Sequence, residues 1–380
     1  MKKIIVGSVI VLILAVTVVI FVMKVEKHEE ASLLTIEAEV QVESEQEIPV
    51  VSTLKGLKFE ELQSVDVAGG PQIRMLLVDD KFHVTSKVEK RSLVIKTFDT
   101  DLVQYGDQKS LENTVGPDYK ITNNGKNFFL SDAKYLRKYD LNWKEINAVS
   151  YYDLFPAEIV DGWPNGVDDM ILSYGNESIF VGSAVGKNTS KTMKKGEKKE
   201  DLADGMYVQE FDLDLKLKNA LLIEGIGNVP SSSIVVGENG YQIISSDKHW
   251  DDSSLIVLAY DRSWKLLDRK VISSEPEANE NFPMTVLFED GIYYVAYHHI
   301  TGDISQPTRG KYNPDTEVVV KAYDRDWNFM GRLPKESGSF VDSHDITSWF
   351  DIAISNDKLY LILNANKGAI FKEYLIKKLY

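Results

Sequence analysis

Cysteine is absent from all 380 residues, which excludes a disulfide framework, a lipid-bearing cysteine and any thiolate-based zinc or redox chemistry. Histidine is scarce, six in all. No HExxH, GxSxG, P-loop or dinucleotide-binding glycine pattern occurs, so the motif-marked enzyme classes are missing as well. Basic residues are outnumbered, 43 against 58 acidic, for a formal charge of −15. A nucleic-acid partner needs a basic face to release counterions, and this balance argues against one. No cofactor or metal site is signalled: acidic pairs such as Asp99/Asp101, Asp212/Asp214 and Asp324/Asp326 lack the glycine and distal glutamate of a calcium loop.

What the chain does contain is 43% hydrophobic residues, with 10% aromatics, enough for a sizeable core. One uncharged run stands apart, Ile4 to Met23. As a helix rising 1.5 Å per residue it would be about 30 Å long, the thickness of a bilayer's hydrocarbon core. Lys2 and Lys3 precede it, whereas Glu26, Glu29 and Glu30 offset the lysines that follow. By the positive-inside rule the N-terminus is cytoplasmic and the bulk of the chain outside. The alternative, a cleaved signal peptide, has a shorter apolar region ending in small residues; Phe21-Val22-Met23-Lys24 offers no such site. Residues 1–24 are therefore read as a transmembrane anchor in the cell membrane. From 25 to 53 the composition turns acidic, with Glu37, Glu39, Glu43, Glu45 and Glu47 closely spaced. A self-repelling segment of this kind reads as a linker, within which a short strand or helix remains open.

Residues 54–380 are organised by a recurring signature, an aromatic followed by Asp at the end of an alternating apolar run. The copies are Phe98-Asp99, Tyr139-Asp140, Phe211-Asp212, Tyr260-Asp261 and Tyr323-Asp324, with Trp143, Trp264 and Trp327 four residues after the aromatic. The Asp suits an Asx-turn and the rings suit packing between sheets. A second landmark is a hairpin-type turn at Asp80-Lys81, Asn124-Gly125, Asn176-Glu177, Asn239-Gly240, Asp290-Gly291 and Asn356-Asp357. Short apolar strands precede these turns: Ile73 to Val78, Tyr119 to Thr122, Met170 to Tyr174, Ile234 to Gly237, Met284 to Phe288 and Phe350 to Ser355. Five of the six hairpins lead to a strand ending in the signature; the sixth does not.

Four antiparallel strands per unit, repeated about every 55 residues, is the plan of a β-propeller. The expected fold is all-β, a six-bladed propeller of four-stranded blades. Its last blade lacks an outer strand, and the otherwise orphaned Leu57 to Val65 is expected to supply it by pairing with Ile370 to Ile376, closing the ring. Over Leu54 to Tyr380 this layout resembles the broad class of bacterial and archaeal repeat propellers. That resemblance implies an architecture shared by many unrelated functions.

In such a fold the starts of the inner strands and the connections between second and third strands share one face. The carboxylates expected there include Asp118, Asp168, Asp169 and Asp351 at inner-strand entries and Asp247, Asp251, Asp252 and Asp303 in the longer loops, joined by Arg74, Trp163, His249, Trp250, His298 and Trp349. Asp118, Asp168 and Asp169 are the candidates for acid–base catalysis; the others are candidates for ligand binding, with Trp163 and Trp349 as sugar-stacking platforms. Carboxylates with aromatics around a channel resemble the sites of sialidases and propeller furanosidases, which need two acids about 5–9.5 Å apart. The arginine triad and the Ser-x-Asp-x-Gly-x-Thr-Trp turn of sialidases are missing, and Gln72 stands where the furanosidases place an Asp. His298 and His299, adjacent on a strand, point to opposite faces, which leaves each as a solvated or hydrogen-bonded histidine or one of them as a ligand beside His249 or Asp303. Residues 186–204 are a Lys/Glu-rich insertion, read as a solvated loop or a contact with anionic polymer. Asn176 and Asn188 lie in Asn-x-Ser sequons, open to glycosylation outside the cell. The leading expectation is an extracytoplasmic, membrane-anchored binding or scaffold module for a glycan or envelope protein. The alternative is a propeller-type glycoside hydrolase.

Overall fold

The computed structural model describes residues 54–380, apart from 68–71, 89–90, 113–114, 116–118, 133, 157–169, 187–203, 225–227, 238, 247–253, 273–278, 301–315, 334–349 and 366–367. The chain divides into two units, Met1–Ser52 and Thr53–Tyr380. The expected anchor at 4–23 and the acidic linker lie outside the described residues. Among the described residues no helix is long and apolar enough to cross a membrane.

The second unit is a six-bladed propeller of four-stranded antiparallel sheets. Blade 1 comprises Ile73–Val78, Lys81–Val88, Ser92–Asp99 and Lys109–Leu111; blade 2 comprises Tyr119–Asn123, Asn127–Asp132, Tyr135–Asp140 and Glu145–Ser150. Blade 3 holds Met170–Gly175, Ser178–Gly186, Asp204–Phe211 and Leu217–Glu224, and blade 4 Asn228–Val236, Gly240–Ser246, Leu255–Asp261 and Leu266–Val271. Blade 5 is Asn279–Glu289, Ile292–Ile300, Thr316–Tyr323 and Phe329–Arg332. Blade 6 takes Phe350–Ser355, Lys358–Ala365 and Gly368–Leu379 from the C-terminal end and Gly56–Val67 from the N-terminal end. The first strands of the blades contact one another in a closed cycle.

The expected closure is present in register: Leu57 lies opposite Lys378, Phe59 opposite Ile376 and Val65 opposite Phe371, with a bulge at Leu62. Alternation explains why it holds. Leu57, Phe59 and Val67 turn inward and are buried, while Lys58, Glu60 and Glu61 remain in solvent. Two inner strands are longer than their apolar cores announced, Asn228–Val236 and Asn279–Glu289, because polar residues ahead of the apolar stretch continue the pairing with bulges. The blade 1 turn is also corrected by one residue: the left-handed pair is Asp79-Asp80, at φ 48° and 56°. The same paired left-handed conformation occurs at Asn176-Glu177, Asp290-Gly291 and Asn356-Asp357, as two-residue hairpins with strand-compatible twist require.

The five signatures share one geometry. In every copy the Asp Oδ1 accepts from the backbone N–H groups two and four residues on, at 2.8–3.0 Å. Its own carbonyl accepts from the N–H three residues on. This is a tight turn carrying a bulge, and the bulge position, normally glycine, is held by Leu102, Trp143, Leu215, Trp264 and Trp327 at φ 61° to 64°. A left-handed L-residue costs about 1–2 kcal/mol. Glycine would avoid that cost but could not stack: Trp143 lies on Phe128 at 4.2 Å, Trp264 on Tyr241 at 4.0 Å and Trp327 on Tyr293 at 4.0 Å.

These partners belong to the second strand of the same blade, which sharpens the expectation of rings packed between sheets. The stacked pair then joins the preceding blade's side chains in one core: Trp143 and Phe128 with Leu93 and Ile95, Trp327 and Tyr293 with Val257 and Leu255. Six such cores occupy the joints between neighbouring blades, all of them built within residues 54–380.

Candidate functional site

The face on which the inner strands begin, here the mouth face, is where the sequence places its candidate residues. Arg74 and Asp351 are described there, on the first strands of blades 1 and 6, and both are buried. Asp351 spans three blades. Its Oδ1 accepts from the Thr285 hydroxyl of blade 5 at 2.7 Å and from the Ile352 N–H at 3.0 Å, and its Oδ2 accepts from the Met75 N–H of blade 1 at 3.0 Å. Arg74 directs Nη1 to the Phe350 carbonyl at 3.5 Å, across the same joint. A carboxylate whose two oxygens already serve donors from both neighbouring blades is a structural staple, with little capacity left for a ligand.

Beside this pair stands Tyr119, at the start of the blade 2 inner strand. Its hydroxyl donates to the Gln72 carbonyl at 2.7 Å and lies 3.0 Å from the Thr85 hydroxyl. Burial pushes its phenol well above the ordinary range, against the bond to Thr85 and the charge of Arg74. Tyr119 is therefore a neutral donor at every physiological pH. Gln72, at φ 59°, presents its carbonyl to this hydroxyl through a left-handed turn, and sequence reasoning had weighed only its side chain.

Asp132, at the top of the second strand of blade 2, is likewise committed. Its Oδ1 caps the N–H groups of Lys134 and Tyr135 at 2.8 and 2.7 Å, and its carbonyl accepts from the Tyr151 hydroxyl at 2.5 Å. Tyr151 opens a short 3₁₀ turn, Tyr152–Leu154, and burial raises its phenol too.

Asp118, Asp168, Asp169, Trp163, His249, Trp250 and Trp349 lie outside the described residues, as does Asn188. His298 lies in the second strand of blade 5, opposite Asn281 and Val318, and its side chain is outside the description. Of the expected site, the structure thus brings together Arg74 and Asp351 and adds Tyr119, Thr85 and Thr285. The hydroxyls of these additions gave no sequence signal, because their significance comes from facing a neighbouring blade. Among the described residues no group of three or more His, Asp or Glu side chains is placed to hold a metal ion.

A cavity of about 300 Å³ lies on the opposite, turn-bearing face, between the hairpins of blades 5 and 6. Lys378 is set in it between Asp357 at 3.1 Å and Asp290 at 3.6 Å, and the hydrogen bond to Asp357 raises its ammonium pKa. That bridge ties two neighbouring hairpins together.

No protein-family profile matches the sequence, and no curated protein matches it. Among solved structures the chain is similar to a member of the DUF4221 family from Bacteroides vulgatus, at 14% identity over 86% of this chain and 100% of that one, with a TM-score of 0.46. It is similar to the Pan2 WD40 domain of Neurospora crassa at 9% identity, over 85% and 96%, with a TM-score of 0.42. A GH43 α-L-arabinofuranosidase from Clostridium thermocellum is 10% identical over 70% and 93%, with a TM-score of 0.42. These likenesses assign no activity to this chain.

Proposed function

We propose that the protein is a membrane-anchored, extracytoplasmic propeller whose mouth face binds a glycan or an envelope protein. The observation that carries this reading is the commitment of the described mouth-face acids. Asp351 and Asp132 hold backbone and hydroxyl donors of their own fold, which suits a rigid recognition surface better than a pair of acids exchanging protons with a substrate. The uncharged run at Ile4 to Met23 supports attachment to the membrane, and the excess of acid over base supports a partner other than nucleic acid.

The test is a binding measurement on residues 54–380 against a panel of envelope glycans and purified envelope proteins. Saturable binding that weakens at least tenfold in Trp163→Ala or Trp349→Ala supports the reading; the absence of any binding sinks it. The competing glycoside hydrolase, built on Asp118, Asp168 and Asp169, predicts turnover of aryl glycosides that Asp168→Ala or Asp169→Ala abolishes. Protease accessibility on intact cells tests the placement of the domain outside.

A further inference from the structure

The joints between blades differ in how they satisfy buried polar groups. Between blades 1 and 2 the Thr85 hydroxyl finds the Tyr119 hydroxyl at 3.0 Å. Ser131 is the matching position one blade on: Thr85 and Ser131 each lie three residues past the ring that pairs with the signature aromatic, Phe82 with Phe98 and Phe128 with Tyr139. Ser131 is fully buried, and its Oγ has no hydrogen-bond partner.

Strand alternation shows where Ser131 points. It shares a face with Phe129, which packs in one core with Ile179, Val181, Tyr207 and Phe211 of blade 3. Ser183 continues the face of Ile179 and Val181, and Gln209 lies between Tyr207 and Phe211 on the adjoining strand. Both are at 0% exposure, and both Ser183 Oγ and Gln209 Oε1 are without a partner, although the Gln209 amide donates to the Tyr151 carbonyl at 3.2 Å. Three unmatched polar atoms thus sit on the facing surfaces of one joint.

Burying a polar atom without a partner forfeits its solvation, and native interiors resolve such atoms with protein groups or internal water. The chain does pair serines directly where they meet, as at Ser232 and Ser245, 2.7 Å apart. At this joint it does not. The two hydroxyls can donate and accept, Gln209 Oε1 can only accept, and a water offers two donors and two acceptors to join them. Tyr151, Phe155 and Tyr207, all buried, belong to the same core.

We propose that the joint between blades 2 and 3 binds internal water, bridging Ser131 Oγ, Ser183 Oγ and Gln209 Oε1. The reading is independent of what the mouth face binds.

A high-resolution crystal structure of residues 54–380, whose core is self-contained, tests it. Solvent density within hydrogen-bond distance of at least two of the three atoms is expected. Direct protein partners for all three, or a joint without density, would overturn it. The Ser131→Ala/Ser183→Ala variant supplies a second reading in solution. Losing both hydroxyls strips a bridging water of two of its partners and leaves Gln209 Oε1 unmatched, so its melting temperature should fall, as that of Thr85→Val should with the loss of a direct bond. An unchanged or raised melting temperature would also overturn the proposal.

Discussion

Blades 1 to 5 and blade 6 finish their sheets by different means. The first five turn covalently into their outer strand through the aromatic-Asp signature, with the Asp capping two N–H groups and a left-handed residue accepting strain so that a side chain can pack. Blade 6 has no such turn and takes its outer strand from the other end of the chain. There side chains supplement the backbone ladder: Lys372 to Glu61 at 3.3 Å, Lys377 to Glu60, and Gln63 to the buried Glu373 at 2.5 Å, which Lys358 also approaches at 2.5 Å. A covalent turn fixes register by geometry alone. A borrowed strand needs its register specified, and the charged and amide partners along Glu60, Glu61 and Gln63 supply that specification.

The sharpest way to break this contrast is to delete Gly56–Val67. Ile376, Tyr374 and Phe371 would lose their cover and the third strand would become an open edge. Cooperative thermal unfolding should vanish and the domain should aggregate, as followed by circular dichroism and size-exclusion chromatography. Next come the buried rings of the two devices, Phe59 in the closing strand and Trp327 in a signature. Truncation of either to Ala should cost about 3–5 kcal/mol in urea unfolding, and a much smaller loss for Phe59→Ala would mean that closure contributes little. Glu373→Ala, which leaves Gln63 and Lys358 without their acceptor, should cost roughly 1–3 kcal/mol. Asp140→Ala, which uncaps two N–H groups of one signature, should cost about 1–2 kcal/mol.

The last expected effect, seen only on acidification, is a dependence on pH. Trp143 of a signature donates its indole N–H to His83 Nδ1 of blade 1 at 3.4 Å, which requires a neutral imidazole. Burial first, then the charges of Lys109 and Lys81, lowers the His83 pKa to about 4. The unfolded chain binds this proton more readily than the folded one, so the stabilisation is complete above about pH 6.5 and is lost as the pH falls towards 4. His83→Gln should flatten the stability profile across that window; an unchanged profile would remove the bond from the account.

The architecture was legible because the repeat is written twice over, in turn residues and in strand periodicity. The missing signature after Ile370 to Ile376 points to the closing strand. The left-handed Trp and Leu positions were not legible, since the usual cue at a bulge is glycine and the chain uses large side chains instead. Of the site, Asp351 was found by position but its task was hidden: that depends on Thr285 and Met75, 66 and 276 residues away in sequence. Sequence shows which acids are present on a face; only the fold shows which are already spoken for.

The closing strand also sets a timetable. Lys377 and Glu60, which meet across it, are separated by 317 positions in the chain. During synthesis the strand emerges before blades 1 to 5 and its partner after them, so five blades can form while Gly56–Val67 waits unpaired with Leu57 and Phe59 uncovered. Contacts of such separation are slow to form and leave adhesive edges in the meantime. The ring therefore closes only once Gly368–Leu379 has been made, and a chain cut short of that strand leaves Gly56–Val67 without its partner.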